Sequence, residues 1–335
     1  MFSRREFLVA GLGLLFFGGK KQEQFVLTIN GKVAASKLGK SLIHEHFLVD
    51  FVGADKISST RWSREAVVKK VLPFLLEASQ HGVKSIFDCT PNFLGRDIQL
   101  LKMLAEKSGL QIITNTGYYG AGSNKYLPAL AFIESAEQLA EHWVDEFENG
   151  IDSTTVRPGF IKIGVDAEAP LSELHKKLIN AAAITHLKTG LTICSHTGPA
   201  KPALEQIEII KKLGVHPSAF VWVHAQTETD KQQYLVAARS GAWISLDGIG
   251  WGDFDNYIDS IVSLKREGLL NRVLISHDAG WYKPDEPAGG EFMGFTNIFT
   301  EIIPRLKQNG FTKADLNQLL ITNPAEALSV RIRKL

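Results

Sequence analysis

The chain has very little cysteine, almost no net charge and no long apolar run. Its 335 residues include two cysteines, Cys89 and Cys194, and both fall inside apparent buried strands, which argues against a disulfide framework. The formal net charge is +1, so nothing in the composition favours nucleic acid or an acidic surface as a partner. No Ser/Gly-rich linker or low-complexity run divides the chain, so we expect no second folded domain.

The N-terminus differs in character from the rest of the chain. A paired arginine, Arg4-Arg5, precedes the apolar stretch Leu8–Phe17, which is too short for a stable transmembrane span. This arrangement resembles a twin-arginine export signal. We therefore expect residues 1–24 to be a signal that is removed during export to the periplasm, and residues 25–335 to form one domain. The alternatives are an uncleaved leader that anchors the protein to the membrane and a disordered leader.

Apolar runs alternate with amphipathic segments along the rest of the chain. The expected barrel strands are Ser41–His46, Lys84–Cys89, Gln111–Thr116, Gly159–Ile163, Leu191–His196, Phe220–His224, Ala242–Leu246 and Arg272–Ser276. The expected helices are Arg64–Gln80, Ile98–Lys107, Ala136–Glu148, Ser172–Lys188, Pro202–Leu213, Thr229–Ser240 and Tyr257–Glu267. Eight strand-then-helix units predict an α/β fold, a closed (β/α)8 TIM barrel. A doubly wound open sheet is the competing architecture.

Two further segments lie outside this repeat. Val26–Val33 is expected to form a small hairpin or strand ahead of the barrel. Phe311–Leu328 is expected to be a closing helical segment, with Thr312 or Asp315 near a helix start and Asn323-Pro324 opening the last turn.

Six side chains at or near the ends of the expected strands have the chemistry of a metal site. They are His44, His46, Lys162, His196, His224 and Asp278. His44 and His46 are two residues apart, so in a strand both imidazoles point to one face and can reach one metal. The carboxyl ends of all barrel strands meet on the face that carries the active site. Because imidazole and carboxylate are ligands of zinc-type sites, the sequence predicts a metal-dependent hydrolase.

The six residues, in this order on a barrel pattern, resemble the amidohydrolase superfamily. Within it the chain is similar to the phosphotriesterase family, which includes the phosphotriesterase-like lactonases, from about Gly39 to Ser329. The supporting motifs are Leu42-Ile-His-Glu-His46, Gly95-Arg-Asp97, Asn115-Thr-Gly117, Ile161-Lys-Ile163, Ser195-His-Thr197, Val223-His224 with Thr229-Asp230, Ser245-Leu-Asp247, Ile275-Ser-His-Asp278 and Thr322-Asn-Pro-Ala325. A lone His-x-His pair is a weak signal, whereas six positions in order are a strong one.

The resemblance implies a site for two divalent metal ions. Zinc is the expected metal, with manganese, iron and cobalt as alternatives. One ion, the more buried, would be held by His44, His46 and Asp278, and the other by His196 and His224. Core histidines that cap strands, and an aspartate that caps a helix, are the structural alternatives.

Lys162 and Asp278 have special roles in this resemblance. A lysine ammonium among cations is disfavoured by like-charge repulsion, which leaves a neutral amine. That amine would add carbon dioxide to give N6-carboxylysine, which would bridge the two ions together with a hydroxide. Asp278 would accept a proton as the hydroxide attacks, and the adjacent His277 is a candidate supporting partner. For Lys162 the alternative is a buried salt bridge.

The implied substrate is a small molecule with an ester-type bond, either a lactone or a carboxylic ester, with phosphotriester hydrolysis as a side reaction. Tyr119, in Thr116-Gly-Tyr-Tyr119, matches a lactonase tyrosine that contacts the ester. Trp251 and Trp281 are expected to form an apolar wall, and aromatic packing on the barrel rim is the alternative for all three. The Gly/Pro-rich loop Ala279–Gly294 is expected to cover the site. Gly248 departs from the family, which usually carries an arginine or histidine there that handles the substrate or relays protons.

Other functions stay open at this stage. A non-catalytic relative that binds a ligand or metal has no need of a general base, so the intact set argues against it. An amide or phosphodiester hydrolase on the same scaffold is the third reading. Relatives are often dimeric, so a homodimer is an expectation. The remaining histidines are expected to be ordinary surface residues: His81, His142, His175, His186 and His216.

Overall fold

The computed structural model describes residues 24–335 and confirms the (β/α)8 barrel. The predicted export signal therefore lies, apart from its last residue, outside the described residues. The strands are β1 (Phe25–Thr28), β2 (Gly31–Ala34), β3 (Lys40–Leu48), β4 (Val83–Asp88), β5 (Gln111–Ile113), β6 (Asn115–Thr116), β7 (Phe160–Gly164), β8 (Ile193–His196), β9 (Phe220–Val223), β10 (Trp243–Leu246), β11 (Val273–Ile275) and β12 (Ala279–Tyr282).

Helices follow the barrel strands on the outside. The α-helices are α1 (Arg64–Gln80), α2 (Ile98–Ser108), α3 (Leu130–Ile133), α4 (Ala136–Asn149), α5 (Glu173–Thr189), α6 (Ala200–Lys212), α7 (Gln232–Ser240), α8 (Phe254–Arg266), α9 (Ile303–Gln308), α10 (Lys313–Asn317) and α11 (Asn323–Leu328). Ser63 and Ser172 cap the starts of α1 and α5 by accepting backbone N–H groups. Gly109 and Gly190 end α2 and α5 in the left-handed conformation, which glycine adopts without strain.

The wall of the barrel consists of two parallel sheets that join through interrupted strands. One sheet has the order β12-β3-β4-β5, and the other runs from β6 to β11 in sequence order. Thr114 alone separates β5 from β6, and Ser276 to Asp278 separate β11 from β12, so each pair acts as one barrel strand. The strand order never reverses, which excludes the doubly wound open sheet.

Apolar side chains fill the inside of this wall. One buried residue from each of the eight barrel strands belongs to a single interior cluster: Ile43, Phe87, Ile113, Phe160, Cys194, Val221, Trp243 and Leu274. Burying each large side chain contributes roughly 1.5–3 kcal/mol. Cys89 joins the same cluster, and both cysteines are buried and free, as predicted. Because the interior is packed, a ligand can enter only at the ends of the strands.

The segments outside the repeat also match their predictions. Strands β1 and β2 form an antiparallel hairpin over the region of Val26–Val33. Thr312 caps α10 in a reciprocal pair of hydrogen bonds with Asp315, and Asn323 opens α11. No helix within residues 24–335 is long and apolar enough to cross a membrane.

Two histidines that we expected at the surface are buried. His186 donates from Nδ1 to the Leu191 carbonyl at 2.8 Å, and its Nε2 accepts the Arg333 N–H at 2.9 Å. Burial lowers the pKa of His186 to about 4, so the ring is neutral in this pair of bonds. His175 is also buried, and its Nε2 lies 3.1 Å from Asn124 Oδ1. The prediction was wrong because α5 packs against α4, α6 and β7 and leaves few exposed positions.

Candidate active site

The ends of β3 and β11 bring three of the six predicted side chains into contact. Asp278 Oδ1 lies 3.1 Å from His46 Nε2 and 3.5 Å from His44 Nε2. A β-bulge in β3 makes this possible: Leu42 pairs with Ile86 and Glu45 with Asp88, so three steps of β3 oppose two of β4. The extra residue re-aims the following side chains. The rings of His44 and His46 consequently sit with their centroids 5.3 Å apart.

Lys162 projects from β7 into the same centre. Its side chain is 1% exposed, and Nζ lies 3.2 Å from His44 Nε2. No carboxylate oxygen of residues 24–335 lies within 4.0 Å of Nζ, so the alternative of a buried salt bridge is excluded for the described chain. A buried amine without an anionic partner is costly unless it is modified or neutralised.

His196 and His224 complete the predicted set from β8 and the end of β9. Their ring centroids are 4.4 Å apart, and the His224 ring is 5.0 Å from that of His44. His224 and Asp278 both adopt left-handed backbone conformations, with φ of 60° and 52°. Such strain costs of order 1–3 kcal/mol for a residue other than glycine and is typical of functional sites.

Asp247, which the sequence indicated only as part of a motif, orients two of these histidines. Its buried carboxylate accepts from His44 Nδ1 at 3.2 Å and from His224 Nδ1 at 2.8 Å. Burial would raise its pKa, but the two imidazoles hold the pKa of Asp247 well below its usual range. Because both Nδ1 atoms are engaged, both Nε2 atoms are left to face the centre. The sequence signal that could have identified Asp247 is an acidic residue directly after a buried strand.

Glu45, between the two histidines of the His-x-His motif, was also missed. Its fully buried carboxylate accepts from Ser276 Oγ at 2.8 Å, His277 Nδ1 at 2.7 Å and the Ala279 N–H at 3.0 Å. These contacts hold the backbone on both sides of Asp278. His277 therefore does have a supporting position, but it acts through Glu45 and not through direct contact with Asp278.

The electrostatics favour the neutral imidazole at three of the four histidines of the cluster. Burial lowers the pKa of His44 to about 4 and the pKa values of His46 and His196 well below the ordinary range. Burial acts the same way on His224, but the nearby Asp247 outweighs it and raises the His224 pKa. A neutral imidazole offers a lone pair, which is the form that binds divalent cations.

The ligand-type atoms are close enough to share an ion. Donor atoms of His44, His46 and Asp278 all lie within 4.8 Å of one another. A second group at this spacing consists of His44, His224 and Asp247. In that group the Nδ1 atoms already donate hydrogen bonds to Asp247, so it orients the histidines and is not an ion site. The donor set, and a Lys162 amine whose hydrogen-bond partner is the neutral His44 ring and not a carboxylate, fit a metal centre.

Three adjoining cavities surround the cluster. A small one of about 60 Å³ is lined by the six side chains and by Tyr119, Trp281 and Phe51. A cavity of about 510 Å³ opens beside Phe51, Trp251 and Trp281, and part of the loop Ala279–Gly294 forms its wall. A third, of about 490 Å³, is lined by Gln226, Gly248 and again Trp251. Tyr119 and Trp281 thus face the centre, whereas Trp251 stands between the two larger cavities.

The side chains of Gln226 and Tyr257 pack closely against Gly248, so a larger residue at this position would have to displace them. A Cβ at this position would lie 2.6 Å from Gln226 Nε2 and 2.8 Å from the Tyr257 hydroxyl. Gln226 also donates to Asp247 at 3.3 Å and accepts from its N–H at 3.1 Å. A neutral amide therefore occupies the space beside Asp247.

A TIM barrel with a buried cluster of ligand-type side chains at its strand ends is the architecture of metal-dependent hydrolases. Comparison with family models makes the assignment specific, because the model of the phosphotriesterase family matches residues 24–328. The chain belongs to this family, as the sequence motifs indicated. Its members are metal-dependent hydrolases with a binuclear site for divalent metals.

Three known proteins illustrate the range of its relatives. A phosphotriesterase homology protein of Escherichia coli is 29% identical over 86% of this chain and 97% of its own length. The human N-acetyltaurine hydrolase is 28% identical over 91% of this chain and 98% of its own length. The structure of a mutant phosphotriesterase-like lactonase from Deinococcus radiodurans matches with a TM-score of 0.82 at 27% identity, covering 90% of this chain and 99% of the lactonase.

Proposed function

We propose that this protein uses two divalent metal ions to hydrolyse an ester-type bond, with a lactone or carboxylic ester as substrate and a phosphotriester as a secondary one. The observation that carries the proposal is the convergence of the six predicted side chains, with Asp278 Oδ1 3.1 Å from His46 Nε2. The likeness to a lactonase over 90% of the chain supports the choice of bond.

The residues present divide naturally between two ions. His44, His46 and Asp278 would hold one, and His196 and His224 the other. Lys162, carboxylated on Nζ, would lie between them, which accounts for a buried amine with no anionic partner among the described residues. Zinc is the first choice for an imidazole-rich site, with manganese, iron or cobalt as alternatives. When bound, such ions supply hydroxide near neutral pH and polarise the substrate oxygen.

The chain's own side chains perform the remaining tasks. Asp278 accepts a proton at its carboxylate, since its Oδ atoms face the centre and its backbone is held by Glu45 contacts on either side. Burial raises the pKa of Asp278, and the imidazoles of His44 and His224 counteract this. Tyr119 would contact the ester group; its ring lies edge-on to His196 at 5.0 Å and lines the central cavity, which supports this role.

Amide hydrolysis is the second candidate, because the human relative is an N-acetyltaurine hydrolase. The cavity walls argue against that particular substrate. Outside the central cluster, Lys283 is the only cationic side chain that lines the three described cavities, and it pairs with Glu286 at 2.7 Å. A sulfonate would find no free cation there, so a neutral substrate suits these cavities better.

A substrate panel tests the proposal. We expect protein loaded with zinc or manganese to hydrolyse lactones and aryl carboxylic esters faster than an aryl dialkyl phosphate or an N-acyl amide. Faster turnover of the amide would favour the second candidate. Two bound metals with no turnover of any member would contradict hydrolysis of these bonds and favour a binding protein. Light scattering on the same preparation tests the expected homodimer. A measured mass equal to that of one chain would contradict it.

We expect Asp247→Asn to weaken metal binding by about 10–100-fold, the usual effect of removing a carboxylate that orients metal-binding histidines. The change keeps the side-chain volume but replaces an anion that accepts from His44 and His224. Calorimetric titration of metal-free protein with zinc provides the measurement. Asp259→Asn, the same change on the exposed face of α8, is the matched control. Equal affinities in both variants would show that Asp247 does not support the site.

We also propose export to the periplasm, on the basis of Arg4-Arg5 ahead of an apolar stretch. Fractionation of cells that express the full chain should find the protein in the periplasm, and the paired change Arg4→Lys, Arg5→Lys should retain it in the cytoplasm. Recovery of the unchanged chain from the cytoplasm would contradict export, and recovery from the membrane would favour the anchored alternative.

A further inference from the structure

Two tryptophans from different loops donate to the same backbone atom of the site. The indole Nε1 of Trp251 lies 2.8 Å from the Asp278 carbonyl oxygen, and the indole Nε1 of Trp281 lies 2.8 Å from it as well. A carbonyl oxygen has two lone pairs and can accept both bonds. Trp251 comes from the loop after β10 and Trp281 from β12, so this contact ties two segments to one peptide group.

The peptide group that they bind needs such support. Asp278 lies between β11 and β12, outside either strand, with a φ of 52° in the left-handed region. On the amide side, its N–H donates to the His44 carbonyl at 3.0 Å. On the carbonyl side, the two indoles are the partners. The direction of the Asp278 carboxylate therefore depends on bonds made from outside its own strand.

The location of Trp251 is unusual for a structural tryptophan. The residue is 56% exposed, and it lines both the cavity of about 510 Å³ and the cavity of about 490 Å³. The Trp281 ring packs against it at 5.7 Å and against the His46 ring at 5.4 Å. More than half of Trp251 is exposed, so packing constrains its orientation only in part. The hydrogen bond from its N–H to the Asp278 carbonyl is a second constraint.

We propose that Trp251 and Trp281 are positioning residues that hold the Asp278 carboxylate in its working orientation. The proposal rests on the proposed function, because the role of Asp278 defines what is being positioned. The tryptophans act through the Asp278 backbone and transfer no proton themselves.

Indole hydrogen exchange tests the contact without any need for activity. In protein labelled with ¹⁵N-tryptophan, the Trp251 indole proton should exchange slowly despite the exposure of the residue, with its signal assigned by its loss in Trp251→Phe. Exchange at the rate of free indole, with or without zinc, would show that the bond to Asp278 is not formed and would overturn the proposal. This outcome is independent of whether any ester is hydrolysed.

Kinetics of matched variants test the positioning role. Trp251→Phe and Trp281→Phe keep an aromatic ring but remove the donor, so each should lower kcat roughly tenfold, the worth of one hydrogen bond. KM for a small ester and the bound metal should stay unchanged. Trp62→Phe is the control, because the Trp62 indole donates to Asp97 at 2.9 Å and lines none of the three cavities.

An isosteric replacement separates the N–H group from the bulk of the ring. Benzothienylalanine at position 251 has the shape of tryptophan with sulfur in place of the N–H, and should lower kcat as much as Trp251→Phe. A wild-type kcat in this protein would overturn the proposal, as would equal losses in Trp62→Phe. If no substrate is turned over at all, the proposed function fails, and the exchange measurement still decides whether the indoles hold Asp278.

Discussion

Asp278→Asn should lower kcat for the best ester or lactone substrate by about 10²–10⁴-fold, the usual contribution of a positioned general base. Asparagine keeps the volume of the side chain and can still occupy the space 3.1 Å from His46 Nε2. It cannot accept a proton as a carboxylate does. The backbone on either side remains held by Glu45, so we expect the barrel to stay folded. Turnover rates, normalised to bound metal, provide the measurement.

The control for this prediction is Asp259→Asn, which makes the same chemical change on the exposed face of α8. It should leave kcat and metal content unchanged. Metal content must be measured in the Asp278 variant because the proposed site uses this side chain as a ligand as well as a base. Near-native turnover per bound metal would remove Asp278 from the chemistry.

Lys162→Ala should impair metal loading and lower turnover by at least about 100-fold, since it removes the group proposed to lie between both ions. The Lys162 side chain is 1% exposed and has no carboxylate partner within the described chain, so no salt bridge is lost. Elemental analysis should find fewer than two metal ions per chain. Added formate or acetate should restore part of the activity by supplying the missing carboxylate.

A second variant separates the chemistry of Lys162 from its packing. Lys162→Met retains most of the side-chain length and apolar contacts but cannot be carboxylated, so it should lose metal like Lys162→Ala while keeping more stability. Formate is the first acid to try, because the cavity beside Lys162 measures only about 60 Å³. Full metal loading in Lys162→Met would argue against a bridging role.

The repeat of the barrel was readable from local patterns. Helix α1 begins and ends where the amphipathic period predicts, at Arg64 and Gln80. The strands followed from short apolar runs bounded by turns, although the run Gln111–Thr116 is broken at Thr114. Closure of the barrel also followed, because eight parallel strands with helical crossovers have few other solutions.

The supporting residues of the site could not be found in this way. Asp247 and Glu45 are buried acids whose partners lie far away in sequence, 203 residues from His44 to Asp247 and 232 from Glu45 to His277. Nothing local distinguishes such an acid from one that caps a turn. The burial of His175 was missed for a related reason, since the exposure of a helix face depends on what packs against it.

By itself, the sequence determined the order of the secondary structure and the set of six candidate site residues, because periodicity and residue type act over a few positions. Only the tertiary structure decided which nitrogen of each histidine faces the centre and which acids hold the rings there. It also brought Trp251 and Trp281 together at one carbonyl. Those features depend on distances of about 3 Å between loops that are far apart in the chain, and closure of the barrel sets such distances.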